Sequence, residues 1–337
     1  MKKKLLSLVL VSISLTGAYA QKDADTQFEN AYTLYEQKNY SEAMKAMKTA
    51  ADNGSSKALF YMGVMYDDGL GVSADAVKAF KCYMDAARQG LAEAEFNVGT
   101  AYMKGDGVAK NEVEGFNWTM KAAEKGFPEA QFNVGQCYAQ GTGVKKSEKT
   151  AFEWFLKAAQ QGFPQAMYNV GESYLTGHGA KKDRAEGFDW LTRAADRNVP
   201  EAMYNIGVCY DQGVYVAKNL VKAAEWYTRS AELGFAEAQF NLGVCYDDGD
   251  GVMQDKKKAF DWYMKAARQG HLEAQYNVGY MYSHGEGVKQ DKKAAFDWYM
   301  KAALQGDKDA KKAISNCYKY GIGVQADAKK AEEWLKK

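Results

Sequence analysis

A tyrosine followed three residues later by a glycine returns eight times at a spacing of 36 residues, at Tyr66, Tyr102, Tyr138, Tyr174, Tyr210, Tyr246, Tyr282 and Tyr318. Self-similarity at a fixed period between about 20 and 50 residues marks a chain whose units bury their apolar faces only against their neighbours. The chain is therefore expected to be a stack of repeats, one elongated domain that grows by adding units.

Residues 93–128 show how one unit is built. Ala94, Val98, Ala101 and Tyr102 share one stripe of a helix, helix A, and Gly105 can take the left-handed conformation that closes it. The column Asp75, Asn111, Ser147, Asp183, Asn219, Asp255, Asp291, Asp327 offers a short side-chain acceptor in every copy, which predicts the N-cap of a second helix, helix B. Helix B carries Phe116, Trp118, Ala122 and Ala123 and ends near Gly126; all seven tryptophans occupy the Trp118 column, which is expected in the core. Pro128, Pro164 and Pro200 share a column just before helix A, where a missing amide costs nothing. A glycine inside helix A (Gly63, Gly99, Gly135, Gly171, Gly207, Gly243, Gly279) costs about 1 kcal/mol each in helix propensity, so another helix is expected to approach closely there. The fold class is all-α, about nine antiparallel helix pairs.

The ends differ from the repeat. Lys2, Lys3 and Lys4, an apolar run from Leu5 to Leu15 and Ala18-Tyr19-Ala20 read as a signal peptide over 1–20, which predicts export to a periplasm or the cell exterior. No later segment reads as a membrane span. Removing residues 1–20 takes away three lysines and no acids, leaving 41 basic against 43 acidic residues and a formal charge of −2. Nucleic acid is not the expected partner, because phosphate binding needs a clustered positive face. Residues 21–56 read as an N-terminal capping pair with a shorter turn, 57–308 as seven 36-residue units, and 309–337 as a C-terminal capping unit in which Lys312 and Ser315 replace the usual aromatic and glycine. Cys137, Cys209, Cys245 and Cys317 share one column; equivalent helices pack roughly 10 Å apart, too far for a disulfide, so these thiols are expected as small buried fillers.

The pattern A-x-(F/Y)-N-(V/L/I)-G-x-x-Y-x-x-G-x-G-V, followed by a capped helix ending A-A-x-x-G, resembles the Sel-one-like repeat, a relative of the tetratricopeptide repeat. The likeness covers residues 57–337 in eight units and departs at Tyr215, which stands where other units have a second loop glycine. It implies a right-handed α/α superhelical solenoid whose A helices line a concave groove, and a role in holding protein partners together. One cysteine-rich branch of the family has been ascribed β-lactamase-like activity, so an envelope hydrolase is the alternative function; no unit here has the cysteine pair of that branch.

By that likeness, the A-helix arc opposite the apolar stripe faces the groove. Two of its columns barely vary: Phe96, Phe132, Tyr168, Tyr204, Phe240 and Tyr276, and Asn97, Asn133, Asn169, Asn205, Asn241 and Asn277. Two others vary, with Thr100, Gln136, Glu172 and Tyr280 in one and Lys104, Gln140, Gln212 and His284 in the other. In one reading the asparagines supply paired donors and acceptors to an extended peptide while the variable columns set preference. In the other, the asparagines bond neighbouring helices and the aromatics fill gaps between units. Identical units need identical contacts, so repetition favours packing.

No catalytic motif stands out. The three histidines fall at unrelated repeat positions, S-x-x-K and K-T-G are absent, and no phosphate loop, zinc spacing or cofactor fingerprint occurs. Asp247-Asp248-Gly249-Asp250 lacks the alternating ligands and distal glutamate of a calcium loop and reads as a solvated turn.

Overall fold

The computed structural model describes residues 23–336; the expected signal peptide over 1–20 lies outside the described residues. Within the described residues all regular structure is helical. The helices are α1 (23–36), α2 (Tyr40–Asp52), α3 (Ser56–Asp68), α4 (Ala76–Arg88), α5 (Ala92–Lys104), α6 (Glu112–Glu124), α7 (Pro128–Gln140), α8 (Glu148–Gln160), α9 (Pro164–Thr176), α10 (Arg184–Ala195), α11 (Pro200–Gln212), α12 (Leu220–Glu232), α13 (Ala236–Asp248), α14 (Lys256–Arg268), α15 (Leu272–His284), α16 (Lys292–Leu304), α17 (Lys308–Tyr320) and α18 (Ala328–Lys336). From α3 onward, odd helices are A and even helices are B.

The chain forms two compact units, one reaching to Ala166 with residues 178–180, the other holding 167–177 and 181 onward. In the first, α3 packs on α4, α4 on α5, and so on to α8; in the second, the same alternation runs from α10 to α18. Each is a solenoid of paired helices.

Local chemistry fixes the boundaries. Asp75, Asn111, Ser147, Asp183, Asn219 and Asp255 each accept a backbone N–H of the first helical turn with a side-chain oxygen, as do Asp291 and Asp327. Pro128 and Pro200 are the first residues of α7 and α11. Gly105 closes α5 at φ +86°.

The second loop glycine is fixed by crowding. Gly107 lies at φ +68°, and a Cβ there would strike the backbone carbonyl of Ala76 at the start of α4. In the unit that carries Tyr215 instead, the backbone keeps φ +72° with a side chain attached. The Arg184 guanidinium lies 5.4 Å from the Tyr215 ring centre.

The glycine inside helix A meets the B helix of its own unit, twenty residues on. An added Cβ would lie 2.5 Å from the Tyr83 ring at Gly63, 2.6 Å from the Phe155 ring at Gly135 and 2.5 Å from the Tyr263 ring at Gly243. Around each such aromatic the core is mostly alanine: Tyr83 packs with Ala79, Ala86, Ala87, Ala94 and Val98.

The tryptophan column departs from expectation. Trp190 and Trp334 are buried, but Trp118, Trp154, Trp226, Trp262 and Trp298 are only half-buried. Trp118, Trp154 and Trp262 pack against the core of the preceding unit. Their outer faces are covered by a cation one turn on: Lys121 over Trp118 at 3.6 Å, Lys157 over Trp154 at 3.7 Å, Arg229 over Trp226 at 4.2 Å and Lys265 over Trp262 at 3.5 Å. An indole is too large to sink between two close helices, so it seals the seam edge-on and the lysine stem roofs it.

Candidate partner-binding clefts

The A-helix arc has two layers. The asparagines and aromatics of its invariant columns are half-buried, as are Thr100, Gln136 and Glu172, whereas Lys104, Gln140, Gln212, Tyr280 and His284 are exposed.

The invariant aromatics are engaged inside the stack. Phe132 lies 5.6 Å from Phe155 on its own B helix and 5.0 Å from Phe163 in the loop ahead of the next A helix. Phe96 meets Phe127, Tyr204 meets both Tyr227 and Phe235, Phe240 stacks on His271 at 4.5 Å, and Tyr276 meets Tyr299. Several asparagines reach back to the preceding unit. Asn205 donates from Nδ2 to the Glu172 carboxylate at 2.8 Å. Asn97 and Asn277 lie beside the hydroxyls of Tyr83 and Tyr263, moderating the rise that burial imposes on those phenols. Burial also pushes the Glu172 carboxyl above its ordinary range, opposed by the Asn205 amide.

Between consecutive A helices the arc opens into clefts. In the first compact unit, Asn97, Thr100 and Lys104 join Asp67, Tyr83 and Asp106 around a cleft of about 360 Å³. The next holds Thr100, Lys104, Asn133, Gln136 and Gln140. In the second unit, Glu172, Asn205 and Gln212 share a cleft with Leu175, Val208, Val214 and Tyr215, and Asn241 lines another with Asp211, Tyr227 and Asp250. Asn277, Tyr280 and His284 stand together on α15, where Tyr280 and His284 stack at 4.1 Å. Asn169 is half-buried on α9.

Two relationships escaped the sequence reading. Tyr83 donates to Asp67, sixteen residues earlier, at 2.8 Å. Within one repeat, the residue after the core alanine of helix A pairs with the residue thirty positions on, at the end of helix B. Gln131 accepts from Gln161 at 2.8 Å, Gln239 from Gln269 and Gln275 from Gln305, while buried Glu95 takes Lys125 at 2.7 Å. Gln161 and Lys125 also reach the carbonyls of Gly126 and Gly90 in the preceding repeat. The signal was present as a partial match between columns: Glu with Lys, Gln with Gln and Met203 with Leu233, but Leu59 with Gln89 and Met167 with Arg197.

The five cysteines are free thiols, four of them buried. Burial pushes Cys137 and Cys209 up to about 11, which keeps them protonated and unreactive at neutral pH. Among the described residues no group of three His, Cys, Asp or Glu side chains could hold a metal ion, and no helix is long and apolar enough to cross a membrane.

A family profile described as Sel1 repeat matches residues 56–91, 92–127, 128–163, 164–199, 200–235, 236–271, 272–307 and 309–337. The crystal structure of a Sel1 repeat protein from Oxalobacter formigenes is 30% identical, with a TM-score of 0.72 over 91% of this chain and 91% of that one. The structure of c5321, a protective antigen present in uropathogenic Escherichia coli strains displaying an SLR fold, is 29% identical, with a TM-score of 0.64 over 93% of this chain and 76% of that one. A search of curated proteins gave no match.

Proposed function

The chain belongs to the Sel1 repeat family, whose members usually bind proteins, and from that premise we propose that it is an exported scaffold that captures a protein or peptide in the clefts between consecutive A helices. The observation that carries this reading is the division of labour along the arc. Columns that barely vary are half-buried and largely engaged with neighbouring units, whereas exposed residues of a column that varies, such as Gln140 and Gln212, stand at the rims of the clefts. Packing therefore uses the first set, with Glu172 drawn in by Asn205, and leaves exposed rim residues such as Gln140 and Gln212 free to meet something else. The lysine-led apolar run and Ala18-Tyr19-Ala20 support export.

The test is a photocrosslinking residue placed at Gln140 or Gln212 on the A helices, or at exposed Glu153 or Asp261 on the B helices, followed by recovery from the native envelope. Defined adducts at Gln140 and Gln212 are expected. Adducts formed only through Glu153 and Asp261 would move the binding face to the other side of the repeats.

A further inference from the structure

We propose that the cleft bounded by Asp211, Asp250, Asn241 and Tyr227 is a socket for a primary ammonium group, supplied as a lysine side chain of the captured partner. The inference rests on the cleft reading above and names the chemistry of one of its subsites.

The chain contains its own template for such a site. One repeat later, the equivalent positions are Asp247 and Glu286, and Lys256 places its Nζ 2.6 Å from the Asp247 carboxylate and 3.8 Å from Glu286. The position that supplies this lysine is Leu220 in the Asp211 repeat, and leucine carries no charge to offer. Among the described residues neither Asp211 nor Asp250 has a cationic partner.

A second observation is independent of the acids. The Tyr227 hydroxyl is buried in the wall of this cleft, its residue 2% exposed; the Asn241 side chain lies beside it, but no group meets it at hydrogen-bond geometry. Its counterparts are satisfied within the fold: Tyr83 donates to Asp67 at 2.8 Å, and Tyr299 shares a 3.3 Å bond with Ser283. A buried hydroxyl left unbonded destabilises the fold, a cost that a ligand bonding it would offset. An ammonium group has three N–H donors and no acceptor, matching two carboxylates and a phenolic oxygen. The cleft, about 100 Å³, suits the end of one unbranched side chain.

The local field agrees. Cys245, at the floor of the cleft, is pushed up to about 12 by burial and then by Asp211, Asp250 and Asp248, in that order. Sequence also couples the two acids. Wherever the Asp211 column holds aspartate (Asp67, Asp211, Asp247), the residue thirty-nine positions on is acidic (Asp106, Asp250, Glu286); where that column holds Met103, Ala139, Leu175 or Ser283, it is not. In the Asp67 cleft the tyrosine is already bonded to its aspartate, and Lys104 lines the wall, so among the described residues it is the Asp211 cleft that combines a missing lysine with an unbonded phenol.

The probe is Nα-acetyl-L-lysine amide, titrated into the full chain by NMR with Nα-acetyl-L-norleucine amide as the uncharged control. Saturable shifts of the Asn241 side-chain amide are expected with lysine alone, weakening at least tenfold in Asp211→Asn and a few-fold in Tyr227→Phe. Leu220→Lys should place an internal ammonium in the socket, abolish the lysine shifts and raise the melting temperature by about 2 °C or more. Equal shifts from norleucine, unchanged lysine binding in Asp211→Asn, or displacement of lysine by calcium chloride would each overturn the socket. If partner crosslinks at Gln212 persist while the lysine probe fails, the socket falls and the cleft reading stands. Lysine binding with no partner crosslink on the A helices upholds the socket and removes the cleft reading.

Discussion

Tyr83 on α4 donates its phenolic hydrogen to the Asp67 carboxylate on α3 at 2.8 Å, and the two columns they occupy are matched in polarity along the chain. Asp247 faces Tyr263 and Ser283 faces Tyr299, whereas Ala139 stands opposite Phe155 and Leu175 opposite Leu191. A hydroxyl at the end of an aromatic ring is thus placed opposite a polar residue of the partner helix, and Tyr227, opposite Asp211, is the one of these hydroxyls that makes no bond there among the described residues.

Phe155→Tyr should therefore destabilise by about 1–3 kcal/mol, because Ala139 stands where Asp67 receives the Tyr83 hydroxyl. Adding Ala139→Asp should recover most of that loss. A double-mutant cycle on denaturant midpoints measures the coupling, which is expected to be favourable.

Gly243→Ala should cost about 1–3 kcal/mol despite the better helix propensity of alanine, since its Cβ would lie 2.5 Å from the Tyr263 ring. Gly171→Ala should cost less, because its Cβ would meet the Leu191 side chain and the Gly187 carbonyl oxygen at 3.0–3.1 Å rather than a ring at 2.5 Å. Thermal melts of the two variants should keep that order.

Lys125→Met should cost about 1–3 kcal/mol, for it strands the buried Glu95 carboxylate, one oxygen of which already lacks a partner. The double change Glu95→Gln with Lys125→Gln reproduces the Gln131–Gln161 pair of the next repeat and should hold stability within about 1 kcal/mol of the parent or raise it. Urea unfolding of both variants checks the contrast.

Glu172→Gln should raise the melting temperature at pH 7. The native carboxyl is held above its unfolded value by burial, so ionising it weakens the fold; that penalty is present above the native pKa and fades as pH falls through it. The advantage of the glutamine variant should accordingly shrink towards pH 4. An advantage that is constant with pH would show that Glu172 does not carry it.

Features set by a few consecutive residues were legible in the sequence. The caps at Asp75 and Asn111, the closing Gly105 and the pairing of helices follow from chemistry within a turn or two. The crowding at Gly63 was expected, though not that Tyr83, twenty positions on, supplies it. The tryptophans were assigned to the core because size and periodicity report that a residue faces a neighbour, not how deep the seam is; Lys121 over Trp118 decides that depth. The Glu95–Lys125 and Asp67–Tyr83 pairs join columns thirty and sixteen residues apart, and seeing them requires comparing columns two at a time. Along the arc, composition alone could not separate asparagines that bond a neighbour, such as Asn205 to Glu172, from rim residues such as Gln140.

The glutamine clamp has a consequence for how such a chain can change length. Gln131 and Gln161 satisfy each other inside one 36-residue segment, and what they take from the preceding segment is the main-chain oxygens of Ala123 and Gly126. Every amino acid supplies that oxygen. A whole segment cut or duplicated at this joint would find these acceptors waiting whatever its new neighbour's side chains are, so this part of the junction, unlike the Asn205–Glu172 contact, survives a change of length by integral steps.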